Sequence, residues 1–206
     1  YGELVYGLRN LDEGFVPELY DPQVLTGRFS VGPRDAVRRV RELLDAYKDH
    51  PLITPSVATH APYTVCAANL GKEAELAEEF EVPMQIHVSE TAWEVEKLLD
   101  EKDLSPVAYL ADLGVLSDRT VAAHCVHVSP QDIEILADFE AGVSHNPVSN
   151  LKLASGISPV PALVAGGVKL GLGTDGTASN NTLDLLRDMQ LAALLHKGIA
   201  GDPTVL

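Results

Sequence analysis

Four histidines and one aspartate, His60, His87, His124, His145 and Asp175, each stand directly after a short apolar stretch. Neutral imidazole nitrogen and carboxylate oxygen together suit zinc, iron or manganese. A lone histidine at a strand end is more often structural, but four in succession closed by an acid point to a converging site. His87 and Asp175 are the natural metal ligands, although two protein ligands alone do not hold a catalytic metal. Glu90 follows His87 by three residues, within reach of a metal-bound water, where a carboxyl is a good proton carrier. It also suits the start of a helix, with Ser89 or Thr91 as cap. His50, His127 and His196 are the remaining histidines, and His127 suits a surface or supporting place.

The elements that must position these residues are legible in the periodicity. Short apolar runs predict strands over 52–58, 82–88, 120–123, 142–144 and 168–173. Helical spacing predicts helices over 33–48, 67–80, 92–100, 106–113, 130–139, 159–166 and 182–197. Pro33 fits the first position of the first helix, and Asn180 or Asn181 the cap of the last. Residues 1–30 read as a strand end followed by a long loop. Strands alternating with helices imply a parallel sheet. A doubly wound sheet would normally carry a Gly-rich phosphate loop after its first strand, and none is present. In a β/α barrel the C-terminal ends of the strands face the active site. Asp175 then ends the 168–173 strand, a costly placement for an acid in a buried sheet unless a cation is nearby.

Composition narrows the partners. The chain has 206 residues, 46% of them hydrophobic, enough for a sizeable core. Its net charge is −15, from 30 acidic and 15 basic side chains. That balance argues against nucleic acid and anionic membranes as partners, and it fits either a solvated acidic surface or salt adaptation. Cys66 and Cys125 are the only cysteines, so there is no disulfide framework, and a reducing cytoplasm is the default location. No apolar run is long enough to span a bilayer. A homo-oligomer is compatible with this composition.

Several blocks resemble one known family. His87-Val-Ser-Glu90-Thr, Ala123-His124-Cys-Val-His127, the long run His145-Asn-Pro-Val-Ser-Asn-Leu-Lys-Leu-Ala-Ser-Gly156 and Leu172-Gly-Thr-Asp175-Gly-Thr-Ala-Ser-Asn-Asn181 look like the amidohydrolase superfamily. Thr59-His60-Ala-Pro-Tyr-Thr64 fits the same branch, that of the 5-methylthioadenosine/S-adenosylhomocysteine deaminases, beside the triazine chlorohydrolases. The resemblance implies an α/β fold of the (β/α)8 TIM-barrel type, with residues 1–206 forming a partial barrel from about the end of strand 3 to strand 8. It implies a divalent metal, zinc before iron or manganese, and a small purine nucleoside as substrate. His87 and Asp175 would ligate the metal, and Asp175 would also take a proton from the attacking water. His124 would polarise that water. Glu90 would protonate the ring nitrogen beside the attacked carbon and pass a proton to the leaving ammonia. His60 would contact the substrate, Arg34 would reach its ribose or amino-acid tail, and His145 would steady the loop after its strand. The family's His-x-His pair on the first strand is missing from this sequence, as are the first strands and a small β-sandwich. The expectation is therefore a fragment with weak metal binding and little activity by itself. Deamination of guanine or another heterocycle, dechlorination of a triazine, and a non-catalytic barrel remnant are the alternatives.

Overall fold

A computed structural model describes the backbone of residues 33–206, with side chains from Val37 onward. The expected strand end and loop within residues 1–30 lie outside the described residues. The elements in chain order are α1 (Pro33–Tyr47), β1 (Val57–Ala58), α2 (Ala67–Glu79), β2 (Met84–Val88), α3 (Ala92–Lys102), α4 (Pro106–Asp112), β3 (Thr120–His124), α5 (Pro130–Asp138), β4 (Gly142–His145), α6 (Pro147–Lys152), α7 (Val160–Ala165), β5 (Lys169–Leu172), α8 (Thr177–Asn180) and α9 (Leu185–Ala200).

The chain divides into two compact units. One runs up to His87 and includes Tyr109–Val121, and the other comprises Val88–Ala108 and Ala122–Leu206. Strands β2 and β3 each begin in the first unit and end in the second. Within the first unit the strand order is β1-β2-β3, and within the second it is β2-β3-β4-β5. The first unit pairs β1 with β2 in parallel, Val57 opposite Met84. The second pairs β4 with β5 in parallel, Gly142 opposite Lys169 and His145 opposite Leu172. Parallel pairing follows from the strand–helix alternation, since a parallel neighbour needs a crossover.

Side-chain alternation decides which residues leave the core. In β2, Met84, Ile86 and Val88 are buried, while Gln85 is exposed and His87 half-buried. In β3, Thr120, Ala122 and His124 are buried. The first unit's core includes Leu44 of α1, Leu70 and Leu76 of α2, Met84 and Ile86. The second unit's core includes Leu98, Ala122, Leu136, Val143 and Leu163. Helix α5 starts in a capping box: Ser129 accepts from Asp132 N–H, and Asp132 accepts from Ser129 N–H, which satisfies two orphan donors at once.

The structure corrects three expectations and adds one helix. The strand expected over 52–58 is confined to Val57–Ala58; Leu52 is exposed, so the apolar run before Val57 has no core to enter. The closing helix is capped by Asp184, whose side chain accepts from Leu186 and Arg187 N–H, rather than by Asn180 or Asn181. Those two asparagines end α8 instead, because the chain turns at Asn181 (φ 84°) before α9 begins. The stretch 147–152 forms a helix, α6, where Pro147 sits in the first turn. Strand β5 is not buried: Lys169, Leu170 and Gly171 are exposed and Leu172 is half-buried. Helix α9 likewise exposes Leu186, Met189 and Leu194.

Candidate active site

The first unit holds a histidine pair. His60 follows β1, and its Nδ1 lies 2.7 Å from Thr64 Oγ1. The Thr64 hydroxyl donates to Ala61 O at 3.1 Å, so toward His60 it accepts, and His60 carries its proton on Nδ1. The carbonyl oxygen of His60 accepts from the backbone N–H of His87 at 3.0 Å and from His87 Nδ1 at 2.6 Å. A carbonyl only accepts, so His87 is protonated on Nδ1 and Nε2 is the lone-pair nitrogen. The two rings lie 5.2 Å apart. Burial, aided by the neighbouring His87, depresses the His60 pKa to about 4. His60 is therefore a neutral hydrogen-bonding group at pH 7.

The second unit holds the acids. Chain direction changes sharply where its strands end: Ser89 (φ 51°), His124 (φ 76°), Cys125 (φ 45°) and Asp175 (φ 59°) are all left-handed. Each such non-glycine residue costs about 1–2 kcal/mol and persists only where surrounding contacts hold it. Those contacts are visible. Glu94 is 1% exposed, and its carboxylate accepts from Ser89 N–H at 3.0 Å and from Glu90 N–H at 2.8 Å. Thr91 caps α3 by accepting from Glu94 N–H at 3.2 Å. Burial pushes the Glu94 carboxyl up to about 7, against the lowering effect of the backbone donors of Glu90, Ser89 and Thr91.

Glu90 is presented by that turn. Its Oε1 accepts from Ser155 Oγ at 3.2 Å, and its Oε2 stands 3.7 Å from His124 Nε2. Ser155 is fixed in turn, because His127 Nε2–H donates to its carbonyl oxygen at 2.7 Å. The next residue, Gly156, has φ 127°, and a Cβ there would meet Val126 Cγ1 at 2.9 Å; both facts demand glycine. His124 is 1% exposed, with Nδ1 2.7 Å from Asn150 Oδ1.

Asp175 has three donors. Oδ1 accepts from Gly176 N–H at 2.6 Å, and Oδ2 accepts from Ser149 Oγ at 2.5 Å and Ser179 Oγ at 2.7 Å. Burial works to raise its pKa, but the three hydrogen bonds and the field of His124 prevail and lower it. Asp175 is therefore a carboxylate at neutral pH. His145 faces α9, its Nε2 3.3 Å from His196 Nε2. Burial lowers the pKa of both, His145 to about 4 with help from His196 and His124.

The donors suit a metal in kind but fall short in number. His87 meets the requirement of a ligating imidazole, one nitrogen pinned by a carbonyl and the other bearing the lone pair. Asp175 meets that of a ligating carboxylate, ionised and oriented. Each belongs to its own unit. Among the described residues no group of three or more His, Cys, Asp and Glu is gathered as a metal centre. Two buried polar atoms next to the acids, Ser89 Oγ and Asn150 Nδ2, have no partner among the described residues.

The structure thus brings Glu90, His124 and Asp175 into one unit and His60 and His87 into the other. Arg34 lies in the first turn of α1, with its side chain outside the described residues. Thr91 caps α3 as expected, and the same turn presents Glu90 to Ser155 and His124. Four supporting groups escaped the sequence reading: Glu94 beneath Glu90, Asn150 on His124, and Ser149 with Ser179 on Asp175. Ser149 and Asn150 lie inside the His145–Gly156 block, whose density of polar residues in a buried segment was the available signal.

Residues 6–206 match the Amidohydrolase family. The chain is 47% identical over 175 residues to a 5-methylthioadenosine/S-adenosylhomocysteine deaminase of Thermodesulfovibrio yellowstonii, covering 85% of this chain and 40% of that protein. It is 51% identical over 154 residues to a 5'-deoxyadenosine deaminase of Methanopyrus kandleri, covering 74% and 36%. Its structure is similar to that of a Xanthomonas campestris adenosine deaminase with bound zinc, with a TM-score of 0.81 and 36% identity over 93% of this chain and 42% of that one. The chain spans less than half the length of these relatives. With nearly its whole length matched and identities this high, the chain belongs to the Amidohydrolase family.

Proposed function

We propose that residues 1–206 contribute the later strands, from about the end of strand 3 to strand 8, of a metal-dependent (β/α)8 barrel that hydrolytically deaminates adenosine-type nucleosides. Methylthioadenosine, S-adenosylhomocysteine and 5'-deoxyadenosine are the substrates that the relatives' names favour. The observation that carries the reading is the Glu90 carboxyl, held on one oxygen by Ser155 and facing His124 with the other.

His87 Nε2 and an Asp175 oxygen would hold the metal, with the remaining ligands coming from a His-x-His pair that this sequence lacks. Zinc is favoured by the zinc-bound neighbours, and when bound it supplies a water acidic enough to attack at neutral pH. Asp175, kept ionised by Ser149, Ser179 and the Gly176 N–H, would accept a proton from the attacking water. His124 hydrogen-bonds and orients the water. Glu90 delivers a proton to the purine ring nitrogen beside the attacked carbon, then carries one to the departing ammonia. His60, neutral at pH 7, hydrogen-bonds the substrate, and Arg34 reaches the ribose or amino-acid tail. Among the described residues no helix is long and apolar enough to cross a membrane, and a cytoplasmic location is proposed with the rest.

The coding sequence upstream of Tyr1 is the first test. An in-frame His-x-His strand supports the enzyme, and a start codon at this point favours a non-catalytic remnant. The longest in-frame protein, loaded with zinc, is then assayed for ammonia release from methylthioadenosine, S-adenosylhomocysteine, 5'-deoxyadenosine, adenosine and guanine. Release from none of the four adenosine-type compounds refutes the substrate class.

A further inference from the structure

Asn150 has no place in the reaction proposed above, yet it is 1% exposed and touches the ring of His124. Its helix gives it little freedom. Asn150 N–H donates to Asn146 O at 3.0 Å, and Ser155 N–H donates to Asn150 O at 2.8 Å. Asp188, which is fully buried, ties the same helix to α9 by accepting from Val148 N–H at 3.3 Å. The Asn150 Oδ1 that meets His124 Nδ1 at 2.7 Å is an acceptor with no proton to give. The ring nitrogen opposite it must therefore be the donor. His124 Nε2, the other nitrogen, stands 3.7 Å from Glu90 Oε2.

We propose that Asn150 is a positioning residue that pins a proton on His124 Nδ1, so that hydrogen bonds to water and exchange with Glu90 take place only at Nε2. The catalytic consequence rests on the deaminase reading, whereas the tautomer itself does not. The opposite neutral tautomer would set the Nδ1 lone pair against the lone pairs of Oδ1 in a water-free pocket, where an unmade hydrogen bond is costly. It would also put a hydrogen on Nε2, so that the nitrogen facing Glu90 donated where the reaction asks it to accept from water.

The test is the imidazole nitrogen spectrum of the 206-residue chain labelled with nitrogen-15 at histidine, at a fixed pH where the ring is neutral, with His124→Gln identifying the resonances. We expect a protonated Nδ1 and a lone-pair Nε2 at His124. Asn150→Asp, which keeps an acceptor oxygen, retains that pattern. Asn150→Leu, close in volume but without the acceptor, loses it and gives a mixture of tautomers. An Nε2-protonated ring in the unsubstituted chain, an Asn150→Asp variant that loses the pattern, or an unchanged pattern in a folded Asn150→Leu variant overturns the proposal. If Asn150→Leu fails to fold, the other two spectra still decide. None of these readouts needs metal or substrate, so a failed ammonia assay leaves this test intact.

Discussion

Replacing Glu94 by Gln will flatten the pH dependence of folding between pH 5 and pH 8. Glu94 is almost wholly buried, and burial moves its pKa from 4.5 to about 7. A raised carboxyl pKa means that the folded state binds more protons than the unfolded one between those values. Stability is then full at low pH and falls as pH rises through 7. That difference in pKa corresponds to about 3 kcal/mol, most of it lost between pH 5 and pH 8. Glutamine has the size of the protonated acid and no charge to bury. Urea unfolding at pH 5 should place Glu94→Gln within about 1 kcal/mol of the parent chain, since the neutral acid and the amide differ there by one hydrogen bond. At pH 8 the variant should have gained on the parent by about 2–3 kcal/mol. The contrast is read as a difference of two curves, so other titrating groups cancel. Two parallel curves, separated by the same amount at both pH values, would refute the argument that Glu94 carries its charge at a cost in order to hold the turn beneath Glu90.

Three further substitutions probe the proposed site. Glu90→Gln should cut deamination about 10²–10⁴-fold, the usual worth of a proton-transfer group, with the melting temperature unchanged; turnover within a factor of three of the parent would remove Glu90 from the chemistry. Ser149→Ala deletes one of three donors on Asp175 and should weaken zinc retention by about tenfold, measured by competition with a chromogenic chelator, and an unchanged affinity would show that Asp175 does not need this support. Gly173→Ala puts a Cβ against Asn146 Oδ1 and 2.5 Å from Ser144 Oγ. It should cost about 1–3 kcal/mol in urea unfolding, because the Ser144 and Asn146 side chains must turn away and give up the 3.1 Å hydrogen bond between them, and full stability in that variant would show that neither side chain is held in place.

What the sequence makes legible is governed by how local the cause is. Apolar alternation along Met84–Val88 and Thr120–His124 is a local pattern, and it placed both strands, 82–88 and 120–123, to within two residues of their observed ends. The 3–4 period of Val37, Val40, Leu43 and Leu44 likewise marked α1. The stretch Leu52–Pro55 misled because hydrophobicity alone predicts a strand, while formation of that strand depends on a neighbour to pair with: only Val57 and Ala58 find one, opposite Met84 and Gln85. The same reasoning explains β5. Its apolar pattern promises burial, yet what covers a strand is decided by the rest of the sheet, and Leu170 remains exposed.

The candidate site residues and their holders differ in the same way. Glu90, His124 and Asp175 are conspicuous because each is a polar residue at the end of an apolar strand. Their holders are polar residues at positions where simpler rules already account for them. Glu94 is the acid in the first turn of α3, where the helix dipole favours one, and Ser179 lies in the short helix that follows Gly176. Only the fold shows that these residues do a second task, which is to bond the residues at the strand ends. Glu94 accepts from the Ser89 backbone, Asn150 meets the ring of His124, and Ser149 and Ser179 donate to the Asp175 carboxylate. The helices that cross between strands return not only to cover the sheet but to bind its ends, and the groups that hold the reactive side chains are found there.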